Sequence, residues 1–305
     1  MATDPLEQFA ADVGTDGPVC CVGGRSQWEV GGSVHPACRQ VRAPEGIVTF
    51  EPAEMVVRVR AGTTVFALQQ ALGEAGMEVA LPQVHAGTTA GGALAVGSAD
   101  VQRLGRGPVR DALLEAHYVS AEGRVVKAGG PTVKNVSGFD LCRLLVGSLG
   151  SLGFLAEVVL RTRPRPSTSR WLSGTGDPFA LHAAVHRPQS ILWDGTRTWL
   201  LLAGHDADVE AESRVAASLG LEPVDDPPVL PPHRWSVDPA TLGELVDDGR
   251  GDFVAEVGVG VVHREVPQPP RPLAPSLEAL QRRVKQMYDP SGRMNPGRDP
   301  LRGAS

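Results

Sequence analysis

Apolar and polar positions in the first half of the chain follow two periods. In "MVVRVRAG" (Met55 to Gly62) Val57 and Val59 alternate with arginines, the period of two of a half-buried strand. The preceding "GIVTFEP" (Gly46 to Pro52) reads as a neighbouring strand. "TTVFALQQALGEAG" (Thr63 to Gly76) places Val65, Leu68 and Leu72 at helical spacing, with Thr63 or Thr64 as the cap and Gly76 as the end. "PVCCVGG" (Pro18 to Gly24) reads as a short buried strand entering a glycine turn, and Phe154 to Leu160 as a long apolar strand. "HYVSAEGRVVKAG" (His117 to Gly129) predicts a hairpin turning at Glu122-Gly123. Strand, helix, strand and hairpin in this mixture predict an α+β fold rather than a doubly wound sheet.

Two proline-rich stretches divide the chain. "RTRPRPSTSR" (Arg161 to Arg170) reads as an exposed connector, because proline cannot pair within a central sheet. "PQPPRPLAP" (Pro267 to Pro275) reads as an extended linker. The expected domains are 1–166, a smaller unit over 167–265, and 266–305, where the linker leads into the helix "SLEALQRRVKQMYD" and a closing turn. No repeat or heptad is present.

Charge and composition narrow the classes. The 305 residues carry a net charge of −6, which disfavours a phosphate-backbone partner, so no nucleic acid is expected. No apolar run reaches the roughly 20 residues of a membrane span. The acidic start "MATDPLEQFAADVG" lacks the pattern of a signal peptide, giving the expectation of a cytoplasmic protein, with membrane association through a complex as the alternative. Four cysteines, Cys20, Cys21, Cys38 and Cys142, fall at no metal or cluster spacing and read as reduced thiols.

Four stretches are candidates for chemistry, each with a plainer alternative. "CVGGRSQWEVGG" (Cys21 to Gly32) can present several N–H groups to one anion, with Arg25 and Ser26 adding a charge and a hydroxyl, or it is a simple β-turn. "HAGTTAGGALAVGSADVQRLGRGPVRD" (His85 to Asp111) is bare enough to pack on a flat ligand, or to bring a helix close to a sheet. "KNVSGFDLCRLLVGS" (Lys134 to Ser148) predicts a polar turn into a short helix. Asp140 reads as its cap or as a first-turn acid, Leu141, Leu144 and Leu145 are expected to point inward, and Lys134 reads as a surface lysine. It leads into Gly147, Gly150 and Gly153, spaced by three before the long strand. "MYDPSGRMNPGR" (Met287 to Arg298) carries two turn signals, Asp289-Pro290-Ser291-Gly292 and Asn295-Pro296-Gly297.

The order and spacing of the four stretches resemble the FAD-linked oxidases of the vanillyl-alcohol oxidase and p-cresol methylhydroxylase type, and more narrowly the FAD-binding E subunits of bacterial glycolate oxidases. The resemblance is strong over about Val19 to Pro166 and the last twenty residues, and weak between. It implies a two-subdomain FAD-binding domain of the PCMH type with a small α+β cap, and FAD as cofactor. Val22, Gly23, Gly24, Arg25, Ser26 and Gln27 would form the pyrophosphate loop. Gly87, Thr88 and Thr89 would line the pyrophosphate and ribityl region, and Gly97 and Ser98 would lie along the flavin. Gly150, Ser151, Leu152, Gly153, Phe154 and Leu155 would meet the adenine half through the backbone, and Asn295 would belong to the closing turn. On this reading Gly150→Val loses FAD more than it loses fold. Arg106 and Asp111 match the family's Arg-Gly-x-x-Arg-Asp pattern. No catalytic residue is fixed by the resemblance; Arg106, facing ring or partner, is a candidate, and Arg106 or Arg103 would be the arginine that meets a substrate carboxylate.

Two departures qualify what the resemblance implies. The cap, Trp171 to Val262, is short, and His182, His186, His205 and His233 are scattered across it at no ligand spacing. The pyrophosphate loop carries Arg25 and Trp28 but no histidine, with His35 and His85 the nearest, which implies noncovalent FAD. The implied activity is a 2-hydroxy-acid oxidoreductase of the glycolate type. Its implied partners are a hydroxy-acid substrate, a larger FAD subunit and an iron–sulfur subunit. A free-standing oxidoreductase with a reduced cap and a non-catalytic FAD-binding assembly subunit are the alternatives.

Overall fold

The computed structural model describes residues 4–130, 140–269 and 272–301. They fall into two compact units. One is drawn from Met1–Ala99, Pro108–Pro164 and Arg271–Ala304, the other from Asp100–Gly107 and Arg165–Pro270. The fold mixes helices with antiparallel sheets, in keeping with the α+β expectation.

The first unit is built on a sheet ordered Ile47–Glu51, Val56–Arg60, Phe154–Pro164, Leu113–Val119, Val125–Gly129, with Met77–Val79 paired to the far end of Phe154–Pro164. The period of two in Val56–Arg60 has a direct cause. Val57 and Val59 are fully buried, while Arg58 and Arg60 face the other way. The helix Val65–Gly73 is capped by Thr64, whose hydroxyl accepts the N–H of Ala67 at 3.2 Å. It buries Val65, Leu68 and Leu72 in the core formed with Val57, Val59 and Leu160. It stops at Gly73, and Gly76 takes a left-handed conformation in the turn beyond. The hairpin turns where expected, with the N–H of Gly123 donating to Ser120 O at 3.0 Å.

The face of Arg58 carries a buried ion network. Arg58 donates to Glu157 at 2.9 Å and Glu115 at 3.0 Å, and Lys127 reaches Glu115 at 3.0 Å. Burial pushes the Glu115 carboxyl up, but the Lys127 and Arg58 bonds outweigh it and hold it below the usual carboxylate range.

A second cluster of this unit joins distant segments. The helix Pro5–Val13 buries Phe9, Ala10 and Val13 against Val19, Val119, Phe154 and Met294. Its start was legible but unread, since Asp4 caps it, accepting the Leu6 N–H at 3.0 Å, and Pro5 takes the first helical position. Val19–Cys21 pairs in parallel with Arg39–Val41 and bridges to Met294 from the C-terminal turn.

The second unit holds an antiparallel sheet ordered Leu221–Val224, Thr168–Gly174, Thr198–Gly204, Ser190–Trp193, Phe253–Glu256, Val261–Arg264, His233–Ser236. Helices Pro178–Ala184 and Asp206–Ser218 contribute Leu181, Val209 and Ala216 to its core with Leu172, Ile191 and Leu200.

Three local expectations are corrected. Arg161 to Arg170 is mostly strand, since one strand runs to Pro164 and the next starts at Thr168. Pro164 is tolerated at a strand end. In the helix Leu141–Leu145, capped by Asp140 as expected, Cys142 and Leu145 are buried but Leu144 is exposed, because a single turn directs only part of its surface inward. Asp100–Gly107 packs with the second unit, where the Gly105 N–H donates to Gln189 O at 3.2 Å and a Cβ on Gly105 would strike the Gln189 side chain. Lys134 lies outside the described residues.

Candidate functional site

The strand Val19–Cys21 ends with the Val22 N–H donating to Val41 O at 2.8 Å. The ladder stops there. Among the described residues, the N–H groups of Gly23, Gly24, Arg25, Ser26 and Gln27 engage no hydrogen-bond acceptor. Arg25 adopts a left-handed φ of 56°, which turns successive amides toward a common side. Gly24 is required for a different reason. A Cβ there would lie 1.7 Å from Gly87 O, so this loop and the segment before Thr88 meet backbone to backbone.

The loop forms one wall of an open cavity of about 930 Å³, counting its mouth. The helix Ala90–Val96 forms another. Thr89 caps it by accepting the Gly92 N–H at 3.1 Å, and the N–H groups of Ala90 and Gly91 donate to Thr63 O and Ala61 O at 2.8 Å. The first-turn donors of this helix are thus engaged by protein, whereas the Gly23–Gln27 amides are open. Gly91 also allows close packing, since its Cβ would come 2.8 Å from that of Ala61. The packing alternative for this bare stretch holds at that position.

The third wall is Ser148–Gly150 with Gly153–Leu155. Ser148 and Ser151 turn their hydroxyls onto Leu145 O and Ser148 O at 2.8 and 2.7 Å, so neither faces the cavity as a free donor. Leu149 and Gly150 are both left-handed, at φ 52° and 69°. A Cβ on Gly150 would meet Asn295 Nδ2 at 2.7 Å and the Phe154 ring at 3.2 Å, and one on Gly153 would meet the Tyr118 ring at 2.5 Å. These glycines therefore serve the chain's own packing around the cavity.

The C-terminal turn closes the wall with Asn295 and Arg298. Asn295 is buried, and its Nδ2 donates to Leu149 O at 2.6 Å, while its Oδ1 is buried without a partner. The turn is held by Lys285, whose Nζ donates to Ser151 O and Asp289 Oδ2 at 2.6 Å and to Met294 O at 3.1 Å. Asp289 also accepts the N–H groups of Arg293 and Met294. Lys285 was missed from the sequence, although the i,i+4 spacing to Asp289 was there to be read.

The cavity thus gathers Val22 through Gln27, Thr89, Gly150, Gly153, Phe154, Leu155 and Asn295 from the predicted set. Gly87, Thr88, Gly97, Ser98, Ser151 and Leu152 are not on its wall. Arg106 is not either; it belongs to the second unit, where it pairs with Asp100 at 3.6 Å. Trp28, expected beside Arg25 in the loop, is on the wall; sequence reasoning missed Arg298 as a wall residue, and His263, which lies buried 2.8 Å from Glu256 in the second unit. Among the described residues no group of three or more His, Cys, Asp or Glu could hold a metal ion, and no helix is long and apolar enough to cross a membrane.

An open row of amide donors, flanking arginines and an unpartnered buried acceptor on one cavity wall fit a phosphate-bearing ligand with an N–H or O–H donor of its own. That is the character of an FAD binding domain, and residues 11–129 match the family described as FAD binding domain. The chain thus carries an FAD binding domain, with FAD as its cofactor.

Among its relatives, glycolate oxidase subunit GlcE of Escherichia coli (strain K12) is 36% identical over 166 residues, 54% of this chain and 47% of that protein. Glycolate oxidase subunit GlcD of Bacillus subtilis (strain 168) is 36% identical over 85 residues, 28% of this chain and 18% of that protein. The matches thus span less than half the length of these relatives. A solved alkyldihydroxyacetonephosphate synthase shares the fold, with a TM-score of 0.69 at 13% identity, over 95% of this chain and 73% of that one.

Proposed function

We propose that this chain is the FAD-binding subunit of a glycolate-type 2-hydroxy-acid oxidoreductase, working with a larger FAD subunit and an iron–sulfur subunit. The observation that carries the reading is the row of open amides from Gly23 to Gln27 on the cavity wall, in a chain similar to GlcE over 54% of its length. The similarity to GlcD supports a hydroxy-acid substrate and a partner of that kind.

FAD, when bound, supplies acceptance of a hydride equivalent from the carbon bearing the hydroxyl. The chain's own residues bind and orient. The Gly23–Gln27 amides and Arg25 take the diphosphate, and Asn295 Oδ1 accepts from a donor of the cofactor. The Thr89-capped helix and the Leu149–Gly150 turn hold the walls that receive the flat rings. FAD is held noncovalently. Among the described residues no histidine stands on the wall, and the thiol there, Cys21, is pushed by burial up to about 12 and stays protonated.

Anaerobic addition of glycolate to the FAD-loaded chain, alone and with a GlcD-type subunit, tests this reading. Flavin absorbance that bleaches only with the partner present supports it. Bleaching by the isolated chain supports a free-standing enzyme. No bleaching in either case contradicts the hydroxy-acid assignment.

A further inference from the structure

Two guanidiniums lie over one indole on the cavity wall. Arg25 Cζ is 5.1 Å and Arg298 Cζ 4.7 Å from the centre of the Trp28 ring. All three residues line the cavity, though Arg298 follows Trp28 by most of the chain. Among the described residues, neither arginine has a carboxylate within 4.0 Å. Arg298 is anchored by one corner, Nη1 donating to the carbonyls of Val30 and Gly32. No protein acceptor engages its Nε or Nη2. Arg25 is anchored likewise, Nη2 donating to Gln40 at 2.8 Å.

Stacking leaves a guanidinium's in-plane donors available while its face rests on the ring, an arrangement an ammonium cannot reproduce. Burial lowers the affinity of Arg298 for its proton and outweighs the opposing pull of the Glu29 carboxylate, which makes no ion pair with it. Two such cations beside five open amides favour a ligand group with two negative charges over a single carboxylate or a neutral sugar.

We infer that Arg298, carried on the C-terminal turn and stacked on Trp28, binds the diphosphate of the dinucleotide directly, as the partner of Arg25. The inference rests on the FAD reading above. Trp28 is the positioning residue that holds the pair in register, and the C-terminal turn becomes part of the cofactor site itself.

The test titrates the full apo chain with FAD, ADP and riboflavin. R298Q is expected to weaken FAD and ADP about tenfold or more and leave riboflavin unchanged. Wild-type affinity for FAD is expected to fall as salt rises from about 0.05 to about 0.5 M, and that of R298Q to fall less. R298K, which keeps the charge and loses the fork, is expected in between, and it carries the test should R298Q not fold. Equal FAD affinity and salt dependence in wild type and R298Q overturn the inference. So does a proportional loss of riboflavin, which marks a purely structural role. A wild-type chain that binds neither FAD nor ADP overturns both readings, whereas ADP binding that depends on Arg298 without FAD binding overturns the FAD reading alone.

Discussion

The Lys285 ammonium donates to the Ser151 carbonyl at 2.6 Å, joining two segments 134 positions apart in sequence. The same Nζ reaches Asp289, whose side chain is fully buried, so one cation ties the Gly147–Gly153 loop to the turn bearing Asn295 and Arg298. Lys285→Met leaves Asp289 with its backbone donors and the more distant Arg293, but with no cation bonded to it. We expect about 2 kcal/mol lower stability in urea denaturation and weaker FAD binding in parallel. Lys285→Met with Asp289→Asn is expected to recover part of both, because the buried charge is then gone. A single variant as stable as wild type contradicts this role.

Gly24→Ala addresses the loop itself. Its Cβ would meet the Gly87 backbone rather than a movable side chain, so the two segments must separate. FAD affinity is expected to fall by about tenfold or more, and the unfolding midpoint of the apo chain to fall as well, because the two backbones must move apart whether or not FAD is present. Fluorescence titration of FAD measures the first and thermal denaturation the second.

Gly150→Val is expected to act differently from what the sequence alone predicts. The left-handed φ of 69° and the contacts with Asn295 and Phe154 place the added side chain against protein. Stability should drop by about 2 kcal/mol together with FAD affinity, not after it. A variant of full stability that has lost only FAD restores the earlier expectation.

Much of this was legible in the chain because it was local. The alternation of Val57 and Val59 with arginines, the Thr64 cap and the Glu122-Gly123 turn each depend on a few neighbouring residues. The glycine-rich loop from Val22 to Gln27 was legible for the same reason. The roles of Lys285, Arg298 and Trp28 were not, because each depends on a carbonyl or ring brought close only by the fold. Gly150 and Gly153 show the same limit from the other side. Their spacing marked a place of close approach, but only the structure shows that what approaches Gly150 is Asn295 and what approaches Gly153 is Tyr118.

The Glu115 network gives a pH dependence. Its folded carboxyl titrates below the ordinary 4.5, so its contribution to stability is complete above that value and is lost as pH falls through the depressed one. Wild-type stability is expected to decline below about pH 4.5, and Arg58→Met to decline less steeply because much of the depression is gone. Urea midpoints across the acid range check this. Parallel profiles contradict it.

Noncovalent attachment has a simple readout. Acid precipitation of the FAD-loaded chain is expected to leave a colourless pellet and all flavin in the supernatant. Yellow colour retained on the washed pellet contradicts the noncovalent reading.

The central claim is that one chain, through the open amides of Gly23 to Gln27 and the wall closed by Asn295, holds FAD by itself. Calorimetric titration of FAD into the purified apo chain tests it most directly. The account predicts one saturable site per chain, weakened about tenfold or more in Gly24→Ala. No saturable binding to the wild-type chain, or equal affinity in the variant, contradicts it.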